Sequence, residues 1–359
     1  MPITQAASFT QLDAQQQAVL KQLASQVKRV FVTGAGGFLG YALCRALRAA
    51  GIEVSGFARA DYQQLKQIGV ALIQGDIADQ QALSDAMLGC DVVFHVASKA
   101  GVWGSKASYF KPNVTGTENV IRSCQALSID RLVYTSTPSV TFCGIDENGI
   151  DESQPYAQHF LNFYGQSKAI AEKKVLDANS ATLKTVALRP HLIWGPGDPH
   201  LVPRVLQRAK TGKLKLVGKI DKLVDTIYID NAVYAHLLAA VKLNASQPVC
   251  AGKAYFVSND QPILMADMLN KILACKELPP VTKRLPAALA YSVGALLEWL
   301  YLGLNKKEEP IMTRFVARQL STSHYFNISA AKRDLDYQPI VTIEQGMVRL
   351  KASLQQPLY

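Results

Sequence analysis

The sequence predicts an α/β protein built on a doubly wound parallel sheet, with a smaller C-terminal lobe, and three observations carry that expectation. Short apolar runs alternate with amphipathic stretches along most of the chain. The run Val30-Phe31-Val32 feeds directly into the glycine-rich segment Thr33-Gly34-Ala35-Gly36-Gly37-Phe38-Leu39-Gly40. At 359 residues and 49% hydrophobic content, the chain has enough apolar surface for one large core and an added lobe.

Taken in order, residues 1–28 are rich in glutamine. There Leu12, Val19, Leu20, Leu23 and Val27 fall at helical spacing, which predicts a modest amphipathic helix from Asp13 onward. Such a helix would be an appended cap or a contact surface. No basic stretch followed by an apolar one opens the chain, so no signal peptide is expected. Val30–Thr33 then reads as a strand and the glycine segment as a tight turn. Leu39, Leu43, Ala46 and Leu47 mark an amphipathic helix that Gly51 closes. Gly34 lets the chain turn, Gly37 lets backbone approach a phosphate, and Gly40 lets the helix pack close to the strand. A helix start so placed points its amides at an anion, the construction that grips a dinucleotide pyrophosphate. The spacing is GxxGxxG rather than GxGxxG. A plain turn is the alternative, and the flanking strand and helix argue against it.

Ile52–Phe57, Val70–Ile73, Val92–Val96, Leu132–Ser136 and Thr185–Leu188 read as further short buried strands, and Tyr255–Ser258 rejoins them. Amphipathic stretches at Asn113–Leu127 and Ser167–Ala178 separate several of them, the pattern of a parallel sheet covered on both faces. Residues 29–190 and 224–258 are therefore assigned to a dinucleotide-binding domain, and the proline-richer pieces 191–223 and 259–359 to a substrate lobe.

Charge and cysteine content bound the function class. The formal charge is +10, and Arg204, Arg208, Lys210, Lys213, Lys215, Lys219 and Lys222 crowd together. No recognition motif accompanies them, so nucleic acid is not an expected partner. A solvated face, anionic lipid, an acidic partner or a phosphorylated cofactor all remain compatible. Six cysteines are scattered without metal-ligand or redox spacing, which predicts a reducing, cytoplasmic setting and no metal.

The chemistry is expected at Tyr164-Gly165-Gln166-Ser167-Lys168. Residues i and i+4 share a helix face, so phenol and ammonium can converge. A free tyrosine has a pKa of about 10, and a close cation that favours phenolate would lower it. Alone the pair is weak and is far more often a surface helix pair than a catalytic one; downstream of a dinucleotide loop it becomes strong.

These residues together resemble an extended short-chain dehydrogenase/reductase of the branch holding 3β-hydroxysteroid and sterol dehydrogenases, over nearly everything after residue 28. The likeness rests on TGAGGFLG, Gly75-Asp76-Ile77, Phe94-His95-Val96-Ala97-Ser98, Asn113–Val120, Leu188-Arg189-Pro190, Gly195-Pro196-Gly197-Asp198 and Tyr228-Ile229-Asp230-Asn231. Within that branch, Lys99–Ser105, Tyr134–Val140, Leu188–Asp198 and Ala251–Phe256 are most similar to bacterial reductases of long-chain 2-alkyl-3-oxoalkanoates in hydrocarbon biosynthesis. The long N-terminal extension departs from that pattern and leaves a docking role open.

The resemblance implies a Rossmann fold and a nicotinamide cofactor held by Gly34, Gly36, Gly37, Phe38, Leu39, Gly40, Arg59, Asp76, Ile77, Ala97, Ser98 and Pro190. It implies Tyr164 and Lys168 as catalytic groups, with a hydroxyl from Thr137 or, second, Ser136. Asn113 would hold a proton-relaying water, or else cap the helix after Pro112. At the end of the second strand Phe57-Ala58-Arg59 offers no carboxylate for a ribose hydroxyl, whereas Arg59 can meet a 2′-phosphate, so NADP(H) is expected. Asp61 as ribose ligand would reverse that choice. Lys99, Trp103 and His191 are the substrate-pocket candidates, with a solvated lysine and a core histidine as the plain alternatives.

The stretch 286–304 is almost wholly apolar, with Lys306 and Lys307 behind it. Glu298 and two internal glycines weaken a membrane-spanning assignment. An interfacial helix or a lid over a lipid-like substrate is expected, with a helix buried in the lobe core as the alternative. Peripheral contact with the inner membrane surface, a pathway-enzyme assembly and a homodimer all stay open. The expected reaction is NADPH-dependent keto reduction of a 2-alkyl-3-oxoalkanoate. A 3β-hydroxysteroid or sterol dehydrogenase and a non-catalytic dinucleotide sensor are the alternatives.

Overall fold

The computed structural model describes residues 12–355. Its centre is a seven-stranded parallel sheet: β1 (Arg29–Thr33), β2 (Glu53–Ala58), β3 (Ala71–Gln74), β4 (Val92–His95), β5 (Arg131–Thr135), β6 (Lys184–Pro190) and β7 (Lys253–Val257), in the order β3-β2-β1-β4-β5-β6-β7. Every strand anticipated from the apolar runs is present, displaced by one or two residues at its ends. The order reverses between β1 and β4, which opens a crevice at the carboxyl ends of the strands.

The sheet is covered on both faces because successive side chains alternate. Val30 and Val32 of β1 join one core, while Phe31 between them joins the other. The first face is packed by α1 (Ala14–Ala24), α2 (Phe38–Ala49) and later α5 (Ile229–Leu243), and the second by α3 (Gly116–Ala126) and α4 (Phe163–Asp177). Helix α1 starts at an Asp13 cap whose carboxylate accepts from the Gln15 amide at 2.9 Å. Its Val19, Leu20 and Leu23, with Val27 beyond, lie in the same core as β1 and α5. The helix expected from Asp13 is thus an integral layer of the sheet domain, and the part of the extension before Leu12 lies outside the described residues.

Two helices begin earlier than their apolar patterns suggested. Asn162 caps α4, its side chain accepting from the Gly165 amide at 2.8 Å. Helix α3 continues a run from Lys106–Phe110 through a π-helical turn at Lys111–Thr115. The cap of that run is Ser105, so the reading of Asn113 as a helix cap is corrected.

The lobe is built from short pieces. Its four-stranded sheet takes Glu147–Ile150 from the segment before α4, beside His324–Phe326, Leu223–Val224 and Ile263–Leu264. Helices α6 (Ala287–Gly303) and α7 (Arg314–Ser321) cross at Gly294, where a Cβ would stand 2.6 Å from the Thr313 carbonyl carbon. Among the described residues no helix is long and apolar enough to cross a membrane.

Candidate active site

The strand ends and the lobe enclose a cleft of about 910 Å³. At its floor Gly34 takes the left-handed conformation, φ 67°, where a Cβ would lie 2.8 Å from the Ala97 backbone. Gly40 presses on the turn, since its Cβ would come 2.1 Å from the Gly34 carbonyl oxygen. The turn and α2 can approach this closely only without side chains. Gly37 begins α2 without a side-chain cap, so the helix start faces the cleft with amides open to an anion.

The cleft is lined by Gly34, Gly36, Gly37, Phe38, Leu39, Gly40, Arg59, Asp76, Ile77, Ala97, Ser98 and Pro190, the full set expected around a dinucleotide. Arg59 is exposed at the end of β2 and lines the cleft. Asp61 does not line it; its carboxylate pairs with Lys66 at 2.8 Å and accepts from Gln63. Asp76 accepts from the Ala78 amide and pairs with Lys111, and these contacts hold its carboxyl below the usual range. Tyr62, absent from the sequence reading, covers Gly36: a Cβ there would lie 2.1 Å from its ring.

Tyr164, Thr137 and Ser136 line the same cleft. Tyr164 projects from the first turn of α4, and Thr137 and Ser136 follow the end of β5. Burial pushes the Tyr164 phenol up, and the Thr137 hydroxyl opposes that shift. Ser136 donates its amide to the Leu188 carbonyl at 2.6 Å, while its buried hydroxyl has no protein partner. A buried orphan hydroxyl at the edge of a ligand-sized cleft suits a bound ligand's acceptor.

Lys168 lies behind the wall, 1% exposed. Its Nζ donates to the Thr135 carbonyl at 2.5 Å and sits 4.1 Å from the centre of the Tyr134 ring. Burial brings its pKa down to about 7, against the pull of Glu172 one turn further on. The expected depression of the Tyr164 pKa by Lys168 is not seen in this arrangement: burial dominates the phenol, and the lysine Nζ is turned to the Thr135 carbonyl and the Tyr134 ring. Glu172 in turn forms a buried pair with Arg189 of β6 at 2.6 Å and accepts from Tyr156, which ties α4 to the sheet.

Asn113 is buried in the π-helical turn. Its Oδ1 accepts from the Lys99 amide at 2.7 Å, and its Nδ2 donates to the Lys99 carbonyl and to Ser167 Oγ. Both amide hydrogens are committed to protein, so the side chain braces the Lys99 loop against α4 and has none left for a water. Behind it runs a chain the sequence did not reveal. The Ala97 amide donates to Thr33, Thr33 Oγ1 lies 2.7 Å from His95 Nδ1, His95 Nε2 lies 2.9 Å from Thr117 Oγ1, and Thr117 donates to the Asn113 carbonyl. With both ends fixed, Thr33 donates to Nδ1 and the His95 Nε2–H donates to Thr117. Burial and Lys168 bring the His95 pKa to about 3, so the ring is neutral.

The substrate candidates separate. Lys99 lines the cleft, its Nζ donating to Ser108 Oγ at 2.7 Å above the Tyr109 ring. His191 also lines it, but burial brings its pKa to about 3 and its Nδ1 donates to the Asp225 carbonyl. It is neutral, as the core-histidine alternative has it, and lines the cleft as a polar group. Trp103 does not line the cleft: its Nε1 donates to the Lys306 carbonyl and its ring meets Tyr301 edge-on. From the lobe, Phe315 and Gln319 of α7 close the far side, a contribution no local pattern signals.

A model of the 3-beta hydroxysteroid dehydrogenase/isomerase family matches residues 31–283. The chain is 65% identical to the 2-alkyl-3-oxoalkanoate reductase of Shewanella oneidensis, over 96% of this chain and 90% of that one. It is 51% identical to the protein of that name from Stenotrophomonas maltophilia, over 90% and 99%. A sterol-4-alpha-carboxylate 3-dehydrogenase, decarboxylating, from Schizosaccharomyces pombe is 41% identical over 73% and 76%. Among solved structures, gox2253 shares the fold with a TM-score of 0.74 at 23% identity, over 92% and 98% of the two chains. MoeE5, solved with UDP-glucose and NAD, has a TM-score of 0.71 at 21% identity over 91% and 98%. The chain belongs to the 3-beta hydroxysteroid dehydrogenase/isomerase family, within the extended short-chain dehydrogenases/reductases, and is an oxidoreductase.

Proposed function

We propose that the chain reduces the keto group of a long-chain 2-alkyl-3-oxoalkanoate to the hydroxyl with NADPH, as a step of hydrocarbon biosynthesis. The observation that carries this reading is one cleft in which the Tyr164 phenol and the Thr137 hydroxyl share a wall with the glycine turn. The high identity to two proteins bearing the reductase name supports the substrate class.

The glycine turn and the start of α2 would hold the pyrophosphate, and Arg59 the 2′-phosphate. Asp61, paired with Lys66, is turned to its own helix and leaves Arg59 as the group at that place. Bound NADPH supplies a hydride to the keto carbon. As that bond forms, the carbonyl π pair moves onto oxygen, and Tyr164 gives its proton there. Thr137 donates to the same oxygen while charge develops, with Ser136 as the second hydroxyl. Lys168 stands behind the phenolate that remains, and Lys99 is the cation available to the substrate carboxylate.

The 41% identity to a sterol carboxylate dehydrogenase makes that oxidation the second reading. NADPH consumption measured against a panel of β-keto acids, with a 3-hydroxysteroid and NADP⁺ as the opposing assay, tests both. Turnover of long 2-alkyl-3-ketoacids is expected. Turnover of the steroid alone would overturn the proposal, and tight NADPH binding with neither reaction would favour a sensor.

A further inference from the structure

Gly36 lacks a side chain for a different reason from Gly34. Gly34 stands at positive φ, whereas Gly36 does not, so backbone conformation alone would admit a larger residue at 36. What excludes one is Tyr62: a Cβ on Gly36 would lie 2.1 Å from its Cε2, 2.3 Å from its Cζ and 2.4 Å from its Cδ2. The turn is thus shaped to receive this aromatic ring. Tyr62 precedes the short helix Gln63–Gln67 and is half-buried, packed in part against the first core. It also lines the cleft.

The ring is accounted for by Gly36, and the hydroxyl is not. Among the described residues the phenol oxygen of Tyr62 has no hydrogen-bond partner, and it is not enclosed. A tyrosine so placed packs with its ring and keeps its O–H for one directed bond. Arg59, three residues earlier, is exposed and lines the same cleft. The acid between them is engaged elsewhere, since Asp61 pairs with Lys66 and accepts from Gln63. Asp76, the carboxylate that does line the cleft, pairs with Lys111 at 3.1 Å. The loop after β2 therefore offers the cleft a cation and a neutral donor, and withholds its carboxylate. That set fits a phosphate, to which the guanidinium brings charge and the phenol a directed bond. A ribose hydroxyl is instead held by an acceptor carboxylate.

We propose that Tyr62 is a second specificity residue for the phosphorylated dinucleotide: its ring closes on the glycine turn and its hydroxyl donates to the 2′-phosphate that Arg59 neutralises. The inference rests on the NADPH reading given above and adds the side chain that ties that phosphate to the turn. Ring and hydroxyl belong to one rigid group, so the contact at Gly36 fixes where the donor stands. The two contributions separate by substitution. Tyr62→Phe removes the hydroxyl and keeps the ring on Gly36, whereas Tyr62→Ala removes both.

The test reads binding without turnover, on the full chain. NADPH and NADH are titrated by nicotinamide fluorescence, and adenosine 2′,5′-bisphosphate, which carries the phosphate without a nicotinamide, by calorimetry. The wild-type chain is expected to bind NADPH more tightly than NADH. Tyr62→Phe should weaken NADPH and the bisphosphate by about tenfold and leave NADH unchanged, with an unaltered circular dichroism spectrum. Tyr62→Ala should weaken NADH as well, because the turn then loses the ring that packs on it. Wild-type affinity for NADPH in Tyr62→Phe, or equal losses for NADPH and NADH, would overturn the proposal; a wild-type preference for NADPH would still leave the reading beneath it standing. A wild-type chain that prefers NADH would overturn both together. Unchanged NADH binding in Tyr62→Ala would overturn the role given to the ring.

Discussion

The wall behind the cleft and the outer face of α6 invert one another. Behind the cleft the molecule buries charge: Lys168, and the Glu172–Arg189 pair with side chains 0% and 5% exposed. On α6 it exposes Leu296 and Trp299 and turns Glu298 inward. Burying a charge is costly unless hydrogen bonds and an opposite charge replace its water. The cleft wall meets that cost because it must hold a cation rigidly beside Tyr134 and Thr135. In α6 the single buried carboxylate joins two helices and leaves the apolar side chains on the outer surface. The same residue types thus carry positioning in one region and contact in the other.

The largest effect should come from removing the phenol proposed as the proton donor. Tyr164→Phe is expected to lower kcat by about two to four orders of magnitude, while NADPH binding followed by fluorescence stays unchanged. Retained turnover would remove Tyr164 from the chemistry.

The buried charges should then separate by how much water their partners see. Glu172→Ala leaves Arg189 uncompensated and is expected to cost about 3–5 kcal/mol in denaturant unfolding. Glu298→Ala leaves an Arg314 whose side chain is 46% exposed, and about 1 kcal/mol is expected. Equal costs would show that the two regions are not built on different terms.

Arg59→Ala should raise the KM for NADPH by about tenfold and leave that for NADH unchanged, as expected for the loss of one charge-assisted contact. A parallel change in both would place Arg59 away from the 2′-phosphate.

The subtlest test is the pH dependence that Lys168 imposes. Its folded pKa of about 7 lies below the unfolded value near 10.5, so between these limits the unfolded chain binds more protons. Its penalty is therefore full below pH 7 and is relieved as pH rises from about 7 toward 10. Lys168→Met should gain stability at low pH and flatten that rise relative to wild type, read from unfolding midpoints across the range.

Much of the fold was legible because its signals are local. The apolar runs of β1 to β7, the glycine turn and the Tyr164–Lys168 spacing each lie within a few consecutive residues, and short-range sterics decide what they form. The cap at Asn162 was also present to be read, as an asparagine three residues before Gly165. Other features were not. The chain from Ala97 through His95 to Asn113 joins two strands and a helix, and no spacing links them in advance. Trp103 stands beside cleft-lining residues in sequence, yet its ring is captured by Tyr301 and Lys306 from the lobe. Whether His191 was a pocket residue or a core histidine could not be read locally; burial among Asp225, His324 and Phe326 keeps it neutral while it still lines the cleft.

By itself the sequence determined the sheet, its glycine turn and the helix that carries tyrosine and lysine on one face, because backbone sterics and side-chain periodicity act over a few residues. Tertiary structure alone decided which way each charge and each apolar face would turn. Lys168 toward Thr135 and the leucines of α6 toward the outside depend on partners far along the chain. A helix apolar on nearly every side carries no internal instruction about which side is in. The crossing of α7 at Gly294 and Arg314 supplied it.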